Sequence, residues 1–140
     1  SMPLTIELVK EYMKAVPVDK KRIYVTGCSM CGFGTWENGQ RRAKKFAAAM
    51  TVCGGGDAEL ASVIKTVPIW VFHGGSDNVV KTKRSQNMVT ALGKVGSKVK
   101  YTEYEGVGHN SWNRAYRDES ALRWLFHQKK SKQTGELGEK

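Results

Sequence analysis

The sequence predicts an α/β fold with about four parallel strands and flanking helices. Two observations carry that prediction. Helical and strand-like patterns alternate four times along 140 residues, which calls for a parallel sheet with right-handed crossovers. The strand-like runs are short and apolar, and each gives way to glycine and polar residues, as in strands covered on both faces.

Taken in order, residues 5–13 place Ile6, Val9 and Met13 on one helical face, broadened by Leu8 and Tyr12. Thr5 reads as N-cap and Glu7 as a favourable first-turn charge. Pro17 and Asp19 close a loop before a buried strand over 22–26. Residues 33–45 read as a helix with Glu37, Gln40, Arg41 and Lys44 on its polar face. A small apolar strand over 46–53 stops at Gly54-Gly55-Gly56. Asp57 caps a short helix over 57–64 whose Leu60, Val63 and Ile64 share a face. Residues 67–72 form the third strand. An amphipathic helix over 82–93 follows, with Met88, Val89 and Leu92 as its apolar side. Residues 98–104 alternate as a half-exposed fourth strand, and 111–128 read as one final helix.

One domain is expected over residues 2–128, followed by a basic, disordered tail over 129–140. The content of 40% hydrophobic and 26% charged residues fits a soluble globular chain. No apolar run reaches the ~18–20 residues of a membrane span. No signal peptide is visible, Ser1 reads as a cloning residue ahead of Met2, and a cytoplasmic location is expected. Three cysteines agree with a reducing compartment rather than a disulfide framework. The net charge of +10 comes from 23 Lys and Arg against 13 Asp and Glu. Those basic residues are scattered and lack a nucleic-acid-binding signature, so nucleic acid is not an expected partner.

The chemistry-bearing residues follow the strands. Gly27 and Ser29 stand where a strand gives way to a helix, as in a nucleophile elbow that lifts a serine hydroxyl clear of the backbone. Cys31 takes the place of the usual second glycine, with Gly32 one position late, and is expected to crowd the turn. Asp77 follows the third strand and His109 the fourth. Loops beyond the C-terminal strand ends meet at one edge of such a sheet, so Ser29, Asp77 and His109 are expected to converge. A serine hydroxyl needs a neighbouring base; His109 fits that role and Asp77 would orient it. The Met30 N–H would face a developing oxyanion. Trp112 is a candidate pocket residue, and His73 reads as loop packing.

The segment from Arg22 to Trp36, with Trp70–Asp77 and Gly106–His109, resembles the α/β-hydrolases of the dienelactone hydrolase-like and predicted-peptidase or feruloyl-esterase-like branch. The resemblance spans roughly residues 18–128. It implies a truncated α/β-hydrolase fold and a serine esterase acting on small, short-acyl esters through Ser29, His109 and Asp77, without a metal or organic cofactor. The N-terminal half of such hydrolases, including the loop that gives a second oxyanion N–H, has no counterpart here. The first strand should therefore lie at a sheet edge with one sheet face uncovered. A homo-oligomer, most simply a two-fold dimer, is the expected cover.

Other readings stand beside this one. A hydrolase remnant could serve as a binding or assembly module. Cys28-Ser-Met-Cys31 has thioredoxin-like placement between strand and helix, but the pair encloses Ser29 and leaves the Asp77 and His109 loops unexplained. Zinc held by Cys28, Cys31, Cys53 and a histidine ranks lower, because Cys53 ends a buried strand.

Overall fold

Four short strands, β1 (Tyr24–Cys28), β2 (Ala48–Val52), β3 (Ile69–Gly74) and β4 (Lys100–Tyr104), lie side by side in chain order and are all parallel. The computed structural model of the chain describes residues 2–131. The register sets Val25 opposite Ala49, Ala49 opposite Ile69 and Val71 opposite Tyr101. Successive connections run through α2 (Met30–Arg42), α3 (Ala61–Ile64) and α4 (Lys83–Lys94). Because the strand order advances in one direction, crossovers of a single hand place all three helices on one face.

Side chains alternate along each strand and so build two cores. Ala49, Ile69 and Val71 pack with Trp36, Ile64, Met88 and Leu92 under α2, α3 and α4. Ala48, Met50, Val52 and Phe72 pack on the opposite face with Ala115, Ala121 and Leu125. Those last three belong to α5 (Trp112–Ala115) and α6 (Glu119–His127). The predicted α/β fold of four parallel strands is what the chain adopts.

Several element boundaries differ from the sequence expectation for physical reasons. The strands begin two residues late, at Tyr24, Ala48, Ile69 and Lys100. The second helix starts at Met30, directly after Ser29, and tightens into a 3₁₀ turn over Ala43–Lys45. The expected final helix is broken, because the Asp118 carboxylate caps a new start by accepting from the Ser120 and Ala121 N–H groups. The Asp57 cap is present and accepts from the Glu59 N–H at 2.9 Å. Of the apolar face expected beside it, Ile64 is buried but Leu60 and Val63 are exposed.

The first helix, α1 (Met2–Ala15), begins before Thr5, which therefore sits inside it rather than capping it. Along its apolar face Ile6 and Met13 are half-buried, whereas Leu8, Val9 and Tyr12 are exposed. At the other end, the Lys130 N–H donates to the Lys21 carbonyl at 3.0 Å. Residues 132–140 of the expected tail lie outside the described residues. No helix among the described residues is long and apolar enough to cross a membrane.

Candidate active site

Ser29 occupies the single residue between β1 and α2 and adopts φ 52° and ψ −121°. A positive φ is costly for a residue with a Cβ and persists only where its surroundings enforce it. Here the enforcement is visible. The Ser29 N–H donates to the Val52 carbonyl at 3.0 Å, and the Ser29 carbonyl accepts from the Phe33 N–H at 3.1 Å. A methyl at Gly27 would collide with the Cys31 carbonyl, so the turn closes only on glycine there.

The second close approach falls one residue later than the usual motif. A Cβ at Gly32 would lie 2.7 Å from the Val52 carbonyl oxygen and 3.1 Å from the Gly54 Cα. Cys31, by contrast, is exposed. The expected crowding at Cys31 is therefore corrected: its side chain points away, and Gly32 bears the contact with β2.

Asp77 lies in the loop after β3 and His109 in the loop after β4. The Ser29 Oγ is 2.7 Å from His109 Nε2, and His109 Nδ1 is 2.8 Å from Asp77 Oδ2. Hydrogen bonding to the carboxylate fixes the proton on Nδ1 and leaves Nε2 as the acceptor for the serine hydroxyl. Asp77 is buried, and its other oxygen, Oδ1, accepts from the Val79 and Val80 N–H groups at 2.9 Å each. Burial pushes this carboxyl up, but the His109 bond and the two backbone N–H groups outweigh it and hold Asp77 below its usual range.

Met30 is the first residue of α2, so its N–H has no acceptor within the helix and sits at the positive end of the helix dipole. Trp112 meets the His109 ring edge-on, with centroids 5.2 Å apart. One cavity is lined by Leu122, Phe126 and their neighbours on α6 and another by Lys21, Phe46 and Lys130, and neither includes Ser29 or His109.

His73, expected to pack in the loop after β3, lies within that strand, and neither it nor Ser111 was assigned a part in the site. His73 is fully buried, with Nε2 2.8 Å from the Val80 carbonyl and 3.2 Å from Asp77 Oδ2. A carbonyl only accepts, so Nε2 carries the hydrogen and shares it between the two oxygens. Its Nδ1 meets the Ser85 hydroxyl at 2.7 Å, and Ser85 also reaches the Gly54 carbonyl at 3.2 Å. The four-residue step from His73 to Asp77 across two glycines was the available signal. Cys53 and Ser111 also lie beside the Asp77 and His109 pair. The thiols of Cys28 and Cys31 are free, as is that of Cys53. The metal-ligating geometry found among the described residues joins Cys53 to Asp77 and His109 rather than to Cys28 and Cys31.

Residues 1–121 match the family model described as phospholipase/carboxylesterase. A thermostable esterase of known crystal structure is 39% identical, with a TM-score of 0.89 over 93% of this chain and 38% of its own. This chain therefore spans little more than a third of that esterase's length. The acylaminoacyl peptidase of Pyrococcus horikoshii is 17% identical, with a TM-score of 0.74 over 81% of this chain and 24% of its own. SOBER1 of Arabidopsis thaliana is 19% identical, with a TM-score of 0.66 over 86% and 58%. These last two share the fold. A search of curated proteins finds no match.

Proposed function

The chain belongs to the phospholipase/carboxylesterase family, and we propose that it is a serine carboxylesterase cleaving small, short-acyl esters through an acyl-enzyme. The observation that carries this reading is the unbroken relay from Ser29 Oγ to His109 Nε2 at 2.7 Å and from His109 Nδ1 to Asp77 Oδ2 at 2.8 Å.

In this reading Ser29 Oγ attacks the ester carbonyl carbon while its proton passes to His109 Nε2. Asp77 stabilises the imidazolium without taking the proton. The Met30 N–H donates to the oxyanion. Collapse of the tetrahedral intermediate expels the alcohol, protonated from Nε2. Water, activated by the same nitrogen, then releases the carboxylic acid and restores Ser29. These steps call on no metal or organic cofactor. Trp112, edge-on to the His109 ring at 5.2 Å, is placed to line the acyl pocket, and short acyl groups are the expected substrates.

Hydrolysis of a p-nitrophenyl ester series tests the proposal. We expect acetate and butyrate to be cleaved with higher kcat/KM than octanoate, and Ser29→Ala to lose about 10³-fold or more. Equal rates for wild type and Ser29→Ala would remove the reading.

A further inference from the structure

Cys53 is a buried nucleophile that the proposed reaction leaves unused. It follows directly on β2 and turns the chain at φ 43°, a conformation uncommon for a residue with a side chain. Its N–H donates to the Phe72 carbonyl at 2.8 Å, which pins it between β2 and β3. The Cys53 Sγ, a ring nitrogen of His109 and a carboxylate oxygen of Asp77 all lie within 4.8 Å of one another. Cys53 and Asp77 are buried, and His109 is half-buried. Ser111, fully buried, borders the same sulfur with its hydroxyl as a hydrogen-bonding neighbour.

Thiolate, imidazole and carboxylate are the donors that a borderline-soft cation selects over oxygen-only sites. Tetrahedral bonds of about 2.0–2.3 Å set neighbouring donors about 3.3–3.7 Å apart. The structure brackets that spacing, from 2.8 Å between His109 Nδ1 and Asp77 Oδ2 to the 4.8 Å limit of the cluster. Shifts of about 1 Å or less would close it around an ion.

We propose that Cys53, His109 and Asp77 form an inhibitory site for a thiophilic divalent cation, Zn²⁺ or Cd²⁺. The proposal rests on reading His109 and Asp77 as partners of Ser29. On binding, the Cys53 S–H bond breaks and its proton leaves to solvent, while the His109 Nδ1 proton moves to Nε2 and frees the Nδ1 lone pair for the cation. Bonds form from the cation to the sulfur, an imidazole nitrogen and a carboxylate oxygen, replacing bound waters, and no electron is transferred. With Nδ1 on the ion and the proton on Nε2, that nitrogen no longer receives the Ser29 proton. The Ser111 hydroxyl, beside the Cys53 sulfur, is placed to hydrogen-bond the thiolate or a water that completes the ion's shell. Burial holds the Cys53 thiol above its ordinary range, so the cation has to displace a firmly held proton.

The test titrates Cd²⁺ into chelator-treated protein and reads two signals, the ultraviolet thiolate-to-cadmium absorption and the residual ester hydrolysis. Both should persist when Cys28 and Cys31 are replaced together by serine. In Cys53→Ser, and in Cys53→Ala as a second variant, Cd²⁺ affinity should fall at least about tenfold, since even supporting groups around a metal ligand cost that much. Ser29→Ala should keep the absorption. Inhibition unchanged in both Cys53 variants, or an absorption that vanishes with Cys28 and Cys31, overturns the site. Cadmium absorption dependent on Cys53 in a chain that cleaves no ester would sink the esterase reading and leave the site standing. Hydrolysis without that absorption would do the reverse.

Discussion

His73 Nε2 lies 3.2 Å from Asp77 Oδ2, the same oxygen that meets His109 Nδ1 at 2.8 Å. Asp77 is thereby held from two sides, by a fully buried imidazole below and by the exposed-side imidazole that faces Ser29. His73 is itself tied through Ser85 to the Gly54 carbonyl, beside the glycine contact that closes the elbow. In the proposed reaction His73 would act as a positioning residue.

Replacing His73 by Gln should therefore lower kcat by about 10–100-fold while KM changes little, because a misplacement on the order of 1 Å costs that much in an oriented site. Ser85→Ala, which leaves His73 in place, should cost less. Steady-state kinetics with circular dichroism as a folding control checks both. A change in KM alone, with kcat intact, would argue against the positioning role.

Asp77 also predicts an acid limit to stability. Burial raises its carboxyl, yet the His109 bond and the Val80 and Val79 N–H groups outweigh it, so the folded value lies below the unfolded one of about 3.9. A group with a depressed folded pKa stabilises fully above its unfolded value, and that contribution fades as pH falls through the folded value. Wild-type Tm should drop more steeply than that of Asp77→Asn between about pH 5 and pH 2. Parallel Tm profiles for the two proteins would contradict this.

The elbow separates two neighbouring positions. Gly32→Ala should destabilise by about 1–3 kcal/mol, the usual cost of overpacking, because its methyl meets the Val52 carbonyl at 2.7 Å. Cys31→Gly should bring no gain in activity and a loss of no more than about 1 kcal/mol, the ordinary cost of glycine in a helix. Chemical denaturation of both variants measures the contrast.

That contrast marks where sequence reading stopped. The strands and the order Ser29, Asp77, His109 were legible, because apolar runs and turn residues are local signals and a parallel sheet gathers its strand ends at one edge. Which residue takes the close contact after Ser29 depends on how α2 is rotated against β2, which no local pattern encodes. The His73 network joins Ser85 to Gly54 across 31 residues and is a product of packing. The break before α6 was signalled by Asp118 followed by Glu119, but the apolar period running through Trp112 to Phe126 masked it. The helical pattern of α1 was legible, whereas the exposure of its Leu8, Val9 and Tyr12 depends on packing that no local pattern encodes.

Among the described strands β1 pairs only with β2, and Leu8, Val9 and Tyr12 on α1 are exposed. An open strand edge is a pairing template. We expect the chain to self-associate, and Leu8→Glu with Tyr12→Glu to shift it towards monomer. Light scattering coupled to sizing reads this directly, and a monomeric wild type at all concentrations would contradict it.

The proposed reaction requires Ser29 as its nucleophile. The most direct measurement is intact-protein and peptide mass spectrometry after treatment with a fluorophosphonate, comparing wild type with Ser29→Ala. The predicted result is one phosphonyl adduct per wild-type chain, mapped to Ser29, and none on folded Ser29→Ala. An adduct that survives in Ser29→Ala, or a folded wild type that takes up no label, would contradict it.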